Sequence, residues 1–177
     1  MSKAFTTESD WDEPIVPRRA PLPDGVANLV TPRGLRRLRA ELADLERRRR
    51  RLEGESEAGR RDETDYRRRV AVFAARTRDL AARIASAEVV DARLQPRDEV
   101  RFGARVVLRA LDGPDEGDER TIEIVGVDEA DPARGLVAFT SPIARAVIGC
   151  AVGDTATLDT PRGEELLEVV AIEYPEG

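Results

Sequence analysis

Five leucines set the first rhythm in this chain: Leu35, Leu38, Leu42, Leu45 and Leu52 fall at spacings of three, four, three and seven. Apolar groups at that spacing return to one face of a helix as a heptad seam, and Arg49 stands in the one slot the pattern misses. A second seam follows, in which Tyr66, Val70, Phe73, Thr77, Leu80, Ile84 and Ala87 alternate steps of four and three. Thr31-Pro32 supplies a start for the first helix. A threonine hydroxyl accepts from an orphan amide, and proline at the first helical position loses nothing by lacking an N–H. Residues 53–65 hold Gly54 and Gly59 among charged and small polar groups, which predicts a turn between the seams. Two heptad helices joined by a short polar connection pack as an antiparallel hairpin. Arms of roughly twenty residues at about 1.5 Å each would reach about 30 Å.

After Pro96 the period changes to two. Residues 104–110, 121–125, 136–140, 155–158 and 166–172 read as strands. Residues 142–148 read as one short helix, with Ser141 placed to cap it and Gly149 placed to end it. The fold class that follows is α+β: an N-terminal antiparallel two-helix coiled coil, then a small, mostly antiparallel sheet domain with one short helix. The first thirty residues carry Pro14, Pro17, Pro21 and Pro23 without an apolar period and read as a mobile tail. The expected organisation is therefore a tail over 1–30, a hairpin over 31–95 and a sheet domain over 96–177.

Charge divides the chain in the same places. The tail has 3 basic and 5 acidic residues, the hairpin 18 and 12, and the sheet domain 8 and 18, giving −2, +6 and −10. Such asymmetry points to two modules with different surroundings. Arg47, Arg48, Arg50 and Arg51, with Arg60, Arg61, Arg67 and Arg68, form a basic patch on the distal half of the hairpin. Two readings of it stand side by side: contact with RNA phosphates or an acidic wall, and a solvated surface paired with Glu41, Asp44, Glu46 and Glu53.

Composition narrows the chemistry. Of 177 residues none is histidine and one, Cys150, is cysteine. This excludes a disulfide framework, the usual zinc sites and the Ser-His and Cys-His nucleophile pairs. No run of eighteen apolar residues exists, and the acidic start lacks a signal-peptide core. The expectation is a cytoplasmic protein without membrane contact that performs no catalysis and stably binds no metal or cofactor of its own. Cys150 is expected as a small buried group, and Asp128 with Glu129 as part of a turn.

Several blocks appear in one order along the second half: Val89-Val90-Asp91, Phe102-Gly103-Ala104, Ile124-Val125-Gly126-Val127-Asp128-Glu129-Ala130, Ser141-Pro142-Ile143-Ala144-Arg145-Ala146-Val147-Ile148-Gly149, Val152-Gly153-Asp154 and Thr160-Pro161-Arg162-Gly163. Together they resemble the GreA/GreB family of bacterial transcript-cleavage and elongation factors over roughly residues 29–174. The stretch Leu29-Val30-Thr31-Pro32-Arg33-Gly34-Leu35 and the start Met1-Ser2-Lys3-Ala4-Phe5-Thr6 look closer to its GreB side. The resemblance implies an FKBP-like second domain that binds bacterial RNA polymerase beside its secondary channel, and a coiled coil that enters the channel. It implies that two acidic residues at the coiled-coil tip help to hold a second magnesium ion in the polymerase active site, near backtracked nascent RNA. By the same likeness Ser141, Pro142, Ile143, Ala144 and Arg145 are the polymerase contact, with Ala144 and Arg145 read as exposed, and the factor is expected as a monomer.

The tip departs from the family pattern Gly-Asp-x-x-Glu-Asn-x-x-Tyr. Alignment on Tyr66 puts Gly59 at the aspartate and Asp62 at the glutamate. An offset reading makes Asp62 and Asp65 an i, i+3 pair that can share a cation, with Glu63 off that face. The other function class weighed is a peptide-binding or prolyl-isomerase-like chaperone module. Against it, residues 96–177 offer only Phe102, Phe139 and Tyr174 to line such a pocket.

Overall fold

The computed structural model describes residue 19 and residues 21–57 and 63–175, with side chains except at 55–57, 63 and 65. It begins with a three-residue strand, β1 (Asn28–Val30), followed by α1 (Pro32–Glu57) and α2 (Glu63–Ala85), then β2 (Ala87–Val89). The two helices form the expected hairpin. Thr31 caps α1, its Oγ1 accepting from the Gly34 amide at 2.9 Å. Leu38, Leu45, Leu52 and Leu80 are buried along the seam, with Leu35, Leu42, Phe73 and Ile84 packed at its edges.

Four expectations change here. The helices are longer than twenty residues, at 26 and 23, because α1 carries Gly54 inside it rather than turning there. At about 1.5 Å per residue they extend roughly 39 and 35 Å. The segment read as a tail contributes β1, with Val30 1% exposed. Ala87 leaves the helical seam for β2, so the block Val89-Val90-Asp91 begins at the last residue of a strand, where the sequence places it at the close of the second helix. β1 and β2 pair in parallel, Asn28 to Ala87 through Val30 to Val89, and so cinch the hairpin at its root. The buried Asn28 reinforces this: its Nδ2 donates to the Arg83 carbonyl at 2.7 Å and to Ser86 Oγ at 3.0 Å.

The seam holds two polar positions. Arg49 lies in the skipped slot with its Nε 3.4 Å from Glu53. Thr77 has a buried Oγ1 without a hydrogen-bond partner. Valine has the same shape without the hydroxyl, and an unmade buried hydrogen bond costs about 1–3 kcal/mol. Thr77→Val is therefore expected to raise hairpin stability by about 1 kcal/mol, read as a higher urea midpoint at unchanged slope.

Five strands make the second lobe: β3 (Arg105–Ala110), β4 (Glu119–Val125), β5 (Leu136–Ala138), β6 (Thr155–Thr160) and β7 (Gly163–Glu173). Their order is β5-β4-β3-β7-β6, antiparallel except for the β4–β5 pair. Period two is visible in β3, where Val106, Leu108 and Ala110 are buried. The short helix α3 (Pro142–Val147) touches both edge strands, β5 and β6. A flat five-stranded sheet is about 19 Å wide, and six helical residues span about 9 Å, so the sheet must curl around the helix. Ala144 and Val147 of α3 close the core with Val100, Val106, Leu108, Ile124, Leu167 and Val169. No described helix is long and apolar enough to cross a membrane.

Candidate functional site

A two-helix arm can deliver a group to a distant place only if its root is rigid, so the root is where the geometry was decided. Between β4 and β5 the chain makes a short turn at Val127–Glu129, entered through Gly126. Glu129 is 4% exposed, yet its carboxylate is well partnered. It accepts from the Thr31 amide at 2.9 Å, from the Thr31 hydroxyl and from the Gly126 amide at 3.3 Å. A buried carboxylate at the first turn of a helix also faces the positive end of the peptide dipoles. Two glycines make the approach possible. A Cβ at Gly34 would overlap the Glu129 carboxylate, and one at Gly126 would overlap the Leu29 carbonyl.

Asp128, one residue earlier, grips the other helix. Its Oδ2 lies 3.2 Å from Arg83 Nε near the end of α2, both side chains being more than nine-tenths buried. Its Oδ1 meets Arg19 at 3.2 Å, and Arg19 also pairs with Glu41 on α1. A third tie runs through Glu123 on β4, which accepts from Arg33 of α1 at 2.7 Å and from Arg105 at 3.3 Å. The turn expected at Asp128 and Glu129 is present, but it is also the anchor of the hairpin. Two acids in a glycine-bearing turn read as ordinary solvated turn residues. Apart from Gly126, their partners Arg83, Thr31 and Arg19 lie 45 to 109 positions away, so local sequence carries no signal of the role.

At the opposite end of the arm, Asp62, Arg60 and Arg61 lie outside the described residues. Glu63 and Asp65 fall in the first turn of α2, and their side chains are not described. Of the basic patch, Arg47 and Arg48 pair with Asp44 at 3.1 and 2.7 Å, and Arg50 approaches Glu46 at 3.8 Å. These are exposed pairs within one helix, each worth only a few tenths of a kcal/mol. Arg51, Arg67 and Arg68 are exposed on the same half of the hairpin.

The α3 segment separates into two roles. Ser141 Oγ accepts from the Ala144 amide at 3.3 Å and caps the helix, and Ile143 packs partly into the core. Ala144, read as an exposed contact residue, is 0% exposed, because the curled sheet closes over that side of α3. Pro142 and Arg145 are the exposed members, joined along the chain by Ile148 at 41% and Val152 at 58% exposure. The sequence reading does not single out these two apolar groups as surface.

The aromatic groups are taken up by packing. Phe102 and Phe139 meet edge to face at 5.8 Å. The Tyr174 hydroxyl donates to the Glu99 carbonyl at 2.7 Å and accepts from the Arg101 amide at 3.1 Å. They do not form the open aromatic lining an isomerase pocket needs. Burial, and then the nearby Asp154 charge, pushes the Cys150 thiol up, so it is a poor nucleophile. Among the described residues, no group of three or more acidic or cysteine side chains is placed to hold a metal ion.

Residues 95–174 match the family described as "Transcription elongation factor, GreA/GreB, C-term". The protein named transcription elongation factor GreA from Francisella tularensis subsp. novicida (strain U112) is 37% identical over 155 residues, spanning 82% of this chain and 95% of its own. Its namesake from subsp. tularensis (strain SCHU S4 / Schu 4) gives the same values. Among solved structures, GreA factor homolog 1 (Gfh1) of Thermus thermophilus is 24% identical, with 84% of this chain and 99% of that one covered at a TM-score of 0.37. The elongation factor GreA/GreB from Nitrosomonas europaea is 21% identical, with 82% and 98% covered at a TM-score of 0.39. With 37% identity over an alignment that spans nearly the whole length of a GreA protein and takes in both the hairpin and the sheet lobe, the chain belongs to the GreA/GreB family of transcription elongation factors.

Proposed function

We propose that the sheet domain docks on bacterial RNA polymerase through the exposed face of α3, and that the hairpin enters the polymerase's secondary channel and modulates cleavage of backtracked RNA. The observation that carries this reading is the anchored arm. Two helices of 26 and 23 residues are fixed at one end to the lobe that matches the family, through Asp128 and Glu129. A rigid root lets docking at one surface set the position of a tip about 35 Å away. The hairpin carries the excess positive charge and the docking lobe the excess negative charge, so the arm is the part suited to a path lined by phosphates or acids.

The chemistry belongs to the polymerase in this reading. Magnesium takes hard oxygen ligands and is often held by one or two carboxylates plus substrate oxygens. A second ion beside the first stabilises both the attacking and the leaving oxygen of a phosphodiester. Asp62 and Asp65, three residues apart, are the groups assigned to that shared ion. Glu63 between them falls off the pair's face. The factor acts in the cytoplasm as a monomer, with nascent RNA as a neighbour rather than a substrate of its own.

The test adds the purified chain to stalled, backtracked complexes and follows RNA length. Co-elution with core polymerase and a changed rate of RNA shortening are expected. Alanine at both Asp62 and Asp65 is expected to leave co-elution within about twofold while removing the effect on shortening, since a magnesium ligand contributes only where the ion sits. Unchanged shortening by the double variant removes the tip from the mechanism. Failure to co-elute at low salt removes the docking itself.

A further inference from the structure

A cleft runs between the root of the hairpin and the sheet lobe, and arginines dominate it. Arg33 and Arg36 come from the first two turns of α1, Arg93 from the turn after β2, and Arg105 from the start of β3. Asp91 and Glu123 are the carboxylates among them, so four positive charges face two negative ones. Glu123, at 9% exposure, is shared by Arg33 and Arg105, and Asp91 pairs with Arg93 at 2.6 Å. Arg36 stands apart: it is exposed and, among the described residues, has no carboxylate partner. It lies three residues from Arg33, on the same side of the helix. Thr31 and Pro32 complete the wall.

We propose that this cleft binds the phosphate chain of a small ligand: two or three adjacent phosphates, as in a nucleoside di- or triphosphate or an inorganic polyphosphate. Guanidinium forks match phosphate oxygens two at a time, and several forks from different elements suit a ligand that concentrates charge in a short length. An extended polynucleotide fits less well, because its backbone would leave the cleft and run across a lobe of net charge −10. The two sides of the cleft belong to different lobes. A bound ligand therefore favours the one arrangement in which these arginines converge, and holds the arm in that direction.

The experiment titrates the full-length chain, without polymerase or magnesium, with inorganic tripolyphosphate, pyrophosphate and ATP by calorimetry at low salt. One saturable site for tripolyphosphate is expected, with Kd raised at least about tenfold by Arg36→Glu, a loss of one strong charge-assisted contact. Arg36 is outside the ion pairs, so that variant should melt like the wild type. Arg162→Glu, the same charge change on an exposed turn of the sheet lobe, is expected to leave Kd unchanged. ATP binding tighter than tripolyphosphate identifies a nucleotide as the ligand, and equal affinity identifies the phosphate chain alone. No saturable binding by any probe, or equal weakening by the two variants, overturns the site. Tighter, Arg36-dependent binding of a single-stranded RNA oligomer overturns the small-ligand assignment. Because polymerase is absent, none of these outcomes depends on docking or on channel entry.

Discussion

Glu129→Ala lowers the melting temperature by about 10 °C, the expected result of removing about 3–5 kcal/mol from a chain of this length. The carboxylate accepts two backbone amides and one hydroxyl in a place water does not reach. Alanine leaves the Thr31 and Gly126 amides buried without an acceptor, at about 1–3 kcal/mol each, and frees the Thr31 side chain from one of its two bonds. Glu129→Gln keeps a carbonyl for the amides and is expected to lose less than half as much. Gly34→Ala attacks the same contact from the other side, since its methyl group would fill the space the carboxylate occupies. Alanine in a helix is worth about 1 kcal/mol over glycine, so stabilisation by Gly34→Ala would mean that Glu129 moves aside freely. A net loss is expected instead. In the double variant the methyl group finds the space vacated, so the two losses should fall short of additivity by about 1–3 kcal/mol, as for residues in contact. Additive losses in thermal or urea melts would show that the two do not meet.

Arg145→Glu is expected to weaken binding to core RNA polymerase by about tenfold to a hundredfold while the chain melts as before. Reversal of an interfacial charge both removes an attraction and installs a repulsion, and each factor of ten corresponds to about 1.4 kcal/mol. The neighbouring position supplies the contrast. Ala144→Glu places an unpaired carboxylate in the core between α3 and the sheet, and is expected to unfold the lobe. Ser141→Ala falls between the two, with about 1 kcal/mol lost from the cap and docking retained in the folded fraction. Wild-type affinity in Arg145→Glu would move the docking surface off α3.

Both expectations turn on a difference that periodicity alone does not resolve. In a six-residue helix, neighbouring residues point about 100° apart, so one of Ala144 and Arg145 can be core and the other surface. The segment was legible as a capped helix because Ser141, Pro142 and Gly149 are local signals. Which side faced inward depended on β5 and β6, whose partners in the sheet are set by contacts across the chain. The hairpin was legible for the converse reason. Its seams repeat over many turns, and repetition averages out single exceptions such as Arg49 and Thr77. Its ends were less so. Gly54 reads as a breaker, but a helix already held by buried Leu38, Leu45 and Leu52 carries one glycine at a cost of about 1 kcal/mol.

β1 shows the same limit most plainly. Three residues after a proline-rich stretch have no period to read, and the strand they pair with lies 59 positions later. It exists because the hairpin brings Ala87–Val89 back beside them. The anchor at Asp128 and Glu129 depends in turn on that return, since Thr31 and Arg83 reach the turn only once both helix ends sit at the root.

What the amino-acid order determined by itself was everything governed by near neighbours: two amphipathic helices, alternating strands, their caps and turns, the opposite charges of the two lobes, and the motif blocks that carry the family. What only the tertiary structure decided was which polar groups would be buried together, at Glu129, Asp128 and the arginine cleft. Apolar periodicity is written into every turn of a helix, whereas a buried carboxylate is tolerated only when donors from distant elements converge on it. That convergence is a property of the assembled chain.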